Sequence, residues 1–156
     1  MLSEFVSNEQ AAGLSCHASS VAHLPGGRVI ASWFSGSHEK SADVVIRIAV
    51  RSAEGQWSEP FVVADVLGEG GEPLAHWNPV LFVHGGVLTL YFKVGMNISR
   101  WRQFQTRASA AAHNNLLDTA AWSTPIELVP GPEGEAGRGA VRTEQIVVGG
   151  VFLAGG

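Results

Sequence analysis

Two adjacent glycines between β-prone runs occur three times in this chain. Gly26-Gly27 separates "SSVAHLP" from "RVIASWF", Gly85-Gly86 separates "NPVLFVH" from "VLTLYFK", and Gly149-Gly150 follows "TEQIVV". A two-residue hairpin turn of the primed type needs positive φ, which glycine adopts without strain. One such pair says little. Three of them, with Gly26-Gly27 falling on Gly85-Gly86 at an offset of 59 (85 against 26), describe an internal repeat of roughly 60 residues. A second marker agrees. The phrase Trp-Ser-x-Pro closes the first unit at Trp57–Pro60 and returns at Trp122–Pro125.

The runs between these markers have strand length. Strands are expected at about 18–24, 28–34, 43–51 and 59–64, then at 79–83, 87–93, 102–109 and 125–129, and again at 143–148 and 151–154. Residues 110–121, "AAAHNNLLDTAA", read as a helical turn inserted into the second unit's outer hairpin. No long segment has a 3.6-residue period, so the chain is all-β. Four short antiparallel strands per unit, repeated, is the pattern of a β-propeller blade. The expected units are about 15–66, 74–130 and 138–156, a partial propeller of some two and a half blades. The phrase's Trp is expected to pack across the sheet edge, and its Pro to end the strand pairing.

Composition narrows the function classes. The chain has 156 residues, 46% apolar and 15% charged, with a net charge of −4 and no Lys/Arg cluster. That balance suits a globular domain and argues against nucleic acid or an anionic membrane as partner. No apolar run reaches the ~18 residues of a membrane-spanning helix. "MLSEFVSNEQ" is polar and acidic, unlike a signal peptide, and Cys16 is the single cysteine, so a cytoplasmic home is expected. Cys16 reads as a packed side chain rather than a nucleophile, since its neighbour His17 would point to the opposite face of a strand.

"SCHASSVAHLPGGRVIASWFSGSHEKSADVVIRIAVRS", "HWNPVLF", "LYFKVG" and "GRGAVR" together resemble the bacterial sialidase-like proteins, neuraminidases of the six-bladed BNR/Asp-box propeller class. The resemblance runs from about Ser15 to Gly156. It implies that each Trp-Ser-x-Pro is a relic of the Asp box. "SAEGQW" keeps Ser52, Gly55 and Trp57 with Glu54 near the Asp position, while the copy from Ser109 to Trp122 is stretched. It also implies that this chain is the N-terminal part of a longer propeller. Its open sheet edges would then be covered by C-terminal blades or by self-association.

The resemblance further implies a site. True sialidases bind the substrate carboxylate through an arginine that opens the first strand and another after the second. His17 and Ser35 stand at those two positions here, and neither reproduces a bidentate guanidinium. An acid/base carboxylate is expected on the loop "GSHEKSAD", where Glu39 is nearest by spacing and Asp43 is second. Alternatively, Glu39 beside Lys40 is a solvated loop pair and Asp43 caps a strand. His76, Trp77 and Asn78 are taken as the second-unit counterpart of His17, with Trp77 stacking on a sugar or simply packing. Lys93 ends an inner strand and faces the site, and Arg138 and Arg142 hold the equivalent place in the third unit. Tyr91 lies mid-strand and reads as packing, so the family's Tyr nucleophile would come from later blades. His23, His38, His84 and His113 lack ligand spacing, and no metal or cofactor is expected. The expectation is a fragment of a sialidase-like glycoside hydrolase that binds a carbohydrate in a central pocket and does not by itself cleave sialosides. A noncatalytic carbohydrate-binding propeller and an inactive truncated product are the alternatives.

Overall fold

The computed structural model describes residues 4–7, 12–96, 101–112 and 114–128. Within them the Gly-Gly pairs turn one strand onto the next. Gly85 and Gly86 have φ of 55° and 78°, the primed turn their sequence demands. Gly26 and Gly27 also have positive φ, but Pro25 joins them in a three-residue turn. The third pair, Gly149-Gly150, lies outside the described residues, as does the expected third unit.

Eight strands form two four-stranded sheets. The first contains β1 (Ser15–Leu24), β2 (Arg28–Gly36), β3 (Val45–Arg51) and β4 (Phe61–Ala64); the second contains β5 (Ala75–His84), β6 (Val87–Gly95), β7 (Arg102–Ser109) and β8 (Ile126–Glu127). In each sheet the spatial order follows the sequence and every pair is antiparallel. Two successive four-stranded meanders packed face to face are two blades of an all-β propeller. β5 packs on β1, β2 and β3, and one apolar core joins Ile30, Phe34, Ile46 and Ile48 of the first blade to Leu81, Leu88, Leu90 and Phe92 of the second. The first blade's opposite face carries Ala31, Trp33 and Ala49, covered in part by Val6 and Trp57.

Both inner strands start earlier than their sequence suggests, at Ser15 and Ala75 instead of 18 and 79. The cause is a bulge at the same point of each. The register slips between His17 and Ser20 in β1 and between Trp77 and Val80 in β5. The residue at the slip is left-handed both times, Ala18 at φ 51° and Asn78 at φ 49°. A strand that looks broken at Asn78-Pro79 instead continues through the kink. The bulge also sets the true alignment of the inner strands: His17 corresponds to Trp77, and Cys16 to His76.

The repeated phrase has a mechanical role. The Ser58 N–H donates to Val50 O (2.9 Å) and the Ser58 hydroxyl accepts from Val50 N (3.0 Å). The Ser123 N–H donates to Arg107 O (2.8 Å) and its hydroxyl accepts from Arg107 N (3.0 Å). Val50 opposes Ile30 and Arg107 opposes Thr89, so the clamps occupy the same place in each blade. The serine and its partner are eight residues apart in the first blade and sixteen in the second. The extra residues make two short 3-10 turns, Asn114–Leu117 and Thr119–Ala121. The buried guanidinium of Arg28 reaches over from the first blade and donates to Ala110 O and Ala112 O. The proline does not end the pairing, contrary to the sequence expectation. Pro60 and Pro125 each immediately precede the fourth strand, a position where a missing N–H costs no ladder bond.

Candidate functional site

One end of the two blades collects most of the expected site residues. The start of β1 lies beside the end of β2, with Ser15 opposite Gly36. The start of β5 lies beside the end of β6, with Ala75 opposite Gly95. The loop 37–43 leaves from this end. Gly36 lets it return closely: a Cβ there would meet Val44 at 2.8 Å. Val44 O then accepts the His76 backbone N–H at 3.1 Å, which docks the loop's far end on the second inner strand.

Each candidate has a distinct setting. His17 is exposed, its Nε2 2.7 Å from Ser15 Oγ and its ring 5.4 Å from that of Phe34. Ser35 is fully buried and its hydroxyl accepts from Arg47 Nε at 2.9 Å. Glu39 is exposed on the loop. Asp43, also exposed, accepts from Ser37 N (2.9 Å) and Ser37 Oγ (3.0 Å), so its carboxylate staples the loop shut. The backbone bond from Ser37 leads the causes that hold Asp43 below the usual carboxylate range. That setting keeps Asp43 ionised, unlike a general acid, which needs its proton near neutral pH.

His76 departs from expectation. It is fully buried, not poised at an axis. Val66 N–H donates to its Nε2 at 2.8 Å, so the proton sits on Nδ1, which donates to Leu74 O (2.8 Å) and Val44 O (3.0 Å). Burial, the largest influence, pushes its pKa down and holds the ring neutral. Both nitrogens are used on backbone groups, so His76 pins three chain segments together and offers nothing to a ligand. The bulges at Ala18 and Asn78 make Trp77, not His76, the second-blade equivalent of His17.

Trp77, Lys93 and Gln103 form one cross-strand row, Trp77 opposite Lys93 and Lys93 opposite Gln103. All three are buried, and the Lys93 ammonium lies over the Trp101 ring, 3.1 Å from its centre. Asn78 is exposed at the bulge. Gln103 and Trp101 escaped the sequence reading; the signal was the alternation in "WRQFQTR", which sends Gln103, Gln105 and Arg107 to one face of a buried strand. Arg138 and Arg142 lie outside the described residues. Among the described residues no three His, Cys, Asp or Glu side chains gather to hold a metal.

The comparisons with known proteins fit this architecture. A family model described as a BNR repeat-like domain matches residues 27–154. The chain belongs to this BNR repeat-like family. Its blades superpose on two solved propeller-type structures. One is an α-L-arabinofuranosidase from Lactobacillus brevis, with 14% identity and a TM-score of 0.56, covering 71% of this chain and 35% of that one. The other is a family 117 glycoside hydrolase from the marine bacterium Zobellia galactanivorans, with 19% identity and a TM-score of 0.53, covering 86% of this chain and 45% of that one. At such identities the likeness is one of fold. This BNR repeat-like chain spans less than half the length of either structure. No curated protein matches it.

Proposed function

We propose that this chain carries two blades of a carbohydrate-active propeller, a glycoside hydrolase of sialidase-like type whose sugar lies at the end bearing the 37–43 loop. The observation that carries the reading is the BNR repeat-like match over residues 27–154, joined to a fold shared with two glycoside hydrolases. Trp77 offers a ring for a sugar face, His17 and Asn78 offer polar groups to hydroxyls, and Glu39 supplies the acid/base carboxylate. With His17 and Ser35 at the arginine positions, the sugar is not bound through the sialidase arginine set. A second reading is favoured by Asp43. The Ser37 bonds keep this carboxylate ionised and committed to the loop, so the 37–43 loop offers Glu39 alone in place of a pair, and a noncatalytic sugar-binding propeller fits that arrangement.

The test is hydrolysis of fluorogenic glycosides, an α-sialoside and an α-L-arabinofuranoside among them, alongside oligosaccharide binding by calorimetry. Turnover abolished by Glu39→Gln supports the hydrolase. Binding without turnover supports the second reading. Neither binding nor turnover on any sugar overturns both.

A further inference from the structure

The face of the first sheet that turns away from the second blade has an equivalent inside the molecule. At the offset of 59 that relates the Gly-Gly pairs, Ala31 falls on Leu90 and Trp33 on Phe92, and the serine clamps make Trp57 the counterpart of Trp122. Leu90, Phe92 and Trp122 belong to the core between the blades. Ala31 and Trp33 therefore line a face of the kind that packs on a neighbouring blade, and with Ala49 they form an apolar cluster of their own, flanked by Trp57. Among the described residues no third sheet lies on it. The N-terminal segment reaches it instead, through Val6.

This segment is tied to opposite ends of the face. Glu4 pairs with Arg51, whose Nε lies 2.6 Å from Glu4 Oε1. Arg51 opposes Val29, whereas β1 begins at Ser15, beside Gly36 at the other end of β2. Gly13 turns the chain just before β1 at φ 86°, and a Cβ there would meet no atom within 4 Å. A left-handed glycine with open space around it is suited to act as a hinge.

The seating is shallow. Glu4 and Arg51 keep 38% and 24% of their side chains exposed, Val6 is half-buried, and Phe5 between Glu4 and Val6 is 88% exposed. An ion pair this open contributes little and is screened by salt. Trp57 shows that the cover is also incomplete. In the second blade Trp122 Nε1 donates to Leu116 O at 2.9 Å, whereas Trp57 Nε1 is buried with no hydrogen-bond partner. A buried N–H left unpaired is costly, so the covered face lacks an acceptor that a finished interface would supply.

We infer that residues 4–7 are a releasable strap, latched on Arg51 and hinged at Gly13, which covers a docking face of the first sheet and gives way to an apolar sheet face like the one the second blade presents to the first. The strap is independent of the sugar chemistry at the other candidate residues.

Cys16, the chain's only cysteine, is half-buried against the same cluster and reports release. The experiment follows its alkylation by iodoacetamide, an uncharged reagent, in the full chain, with anilinonaphthalenesulfonate emission as the probe of an uncovered apolar face. Alkylation of the parent chain is expected to depend on urea far less steeply than global unfolding, because releasing a strap exposes little surface. Val6→Asp and Glu4→Arg are each expected to speed it about fivefold or more and to raise the dye emission, and adding Arg51→Glu to Glu4→Arg is expected to restore the parent rate by reversing the pair. Parent alkylation that tracks global unfolding overturns the strap. Rates unchanged in Val6→Asp and Glu4→Arg overturn it too, as does a double variant as reactive as Glu4→Arg alone. Faster alkylation with no gain in dye emission also overturns it, since the uncovered face is then no docking surface.

Discussion

His76 shows how one residue can look like a ligand and act as a fastener. Polar, aromatic-flanked and placed at a strand start, it has the sequence profile of a binding group. Its three backbone partners, Val44 O, Val66 N and Leu74 O, include one on the other blade, which no local pattern reveals. The neutral ring gives a testable pH dependence. Burial holds the folded pKa below the ordinary value of 6.5, against the opposing bond to Leu74 O, the charge of Asp65 and the bond to Val44 O. Below about that pH the unfolded chain takes up a proton that the folded chain refuses. Stability is therefore fully present above the unfolded value and falls as the pH drops toward the folded one, by at most ~1.4 kcal/mol per pH unit. Urea titrations at pH 5 to 8 check this. His76→Gln is expected to lower stability at pH 8 and to remove the acid-side slope; a slope unchanged in the variant assigns the effect elsewhere. Ala18 gives a second case. It sits in the left-handed region at the bulge where the second blade has Asn78. Asn tolerates that conformation better, so Ala18→Asn is expected to raise the unfolding free energy by up to ~1 kcal/mol, and a destabilised variant would contradict it.

Much of the element pattern was legible because it is local. Gly-Gly pairs, alternation and Trp-Ser-x-Pro place the β2, β3, β4, β6 and β7 strands close to where they lie. The early starts of β1 and β5 were hidden because Asn78 and Pro79 read as breakers, while the structure uses them to kink a continuing strand. The candidate site was legible in part for the same reason. The loop with Glu39 and Asp43 and the strand end at Lys93 have local signals, but Gln103 joins Lys93 only through cross-strand register. The clamp on the third strand predicts paired phenotypes. Ser58→Ala and Ser123→Ala each remove one bond to a strand N–H and are expected to cost ~1 kcal/mol apiece. Because the second clamp also closes a longer loop, proteolysis in residues 110–121 should rise in Ser123→Ala and not in Ser58→Ala. Arg28→Met tests the other anchor of that insertion. It leaves carbonyls at Pro25, Ala110 and Ala112 without their donor, at an expected cost of ~2–3 kcal/mol. Stability equal to the parent chain in urea would show that the guanidinium is not holding the insertion.

At the scale of the molecule the question is whether the two blades are separate objects. Propeller blades are repeats, and repeat stability divides into intrinsic terms and a nearest-neighbour interface term. Here the interface is the core. Ile30, Ile46 and Ile48 of the first sheet and Leu88, Leu90 and Phe92 of the second are all fully buried, and they belong to one apolar cluster. Burying each such side chain is worth ~1.5–3 kcal/mol, and a blade standing alone would forfeit that for its facing side. Polar ties cross the same interface. Leu81 N donates to Ser20 Oγ at 3.0 Å between the inner strands, and His76 bonds to Val44 O. Two blades built this way unfold together. Native-state hydrogen exchange reads this directly, because β2 and β6 lie in different sheets. The amides of Ile30 and Leu90 are expected to exchange with the same opening free energy, within ~0.5 kcal/mol, and that value should equal the global one from urea. Ser20→Ala sharpens the test by leaving the Leu81 N–H unpaired between the sheets, at a cost of ~1–3 kcal/mol. In a single cooperative unit both amides lose protection equally. If only one blade responds, or if the two amides differ by more than ~1 kcal/mol in the parent chain, each blade folds on its own and the shared core is a docking surface.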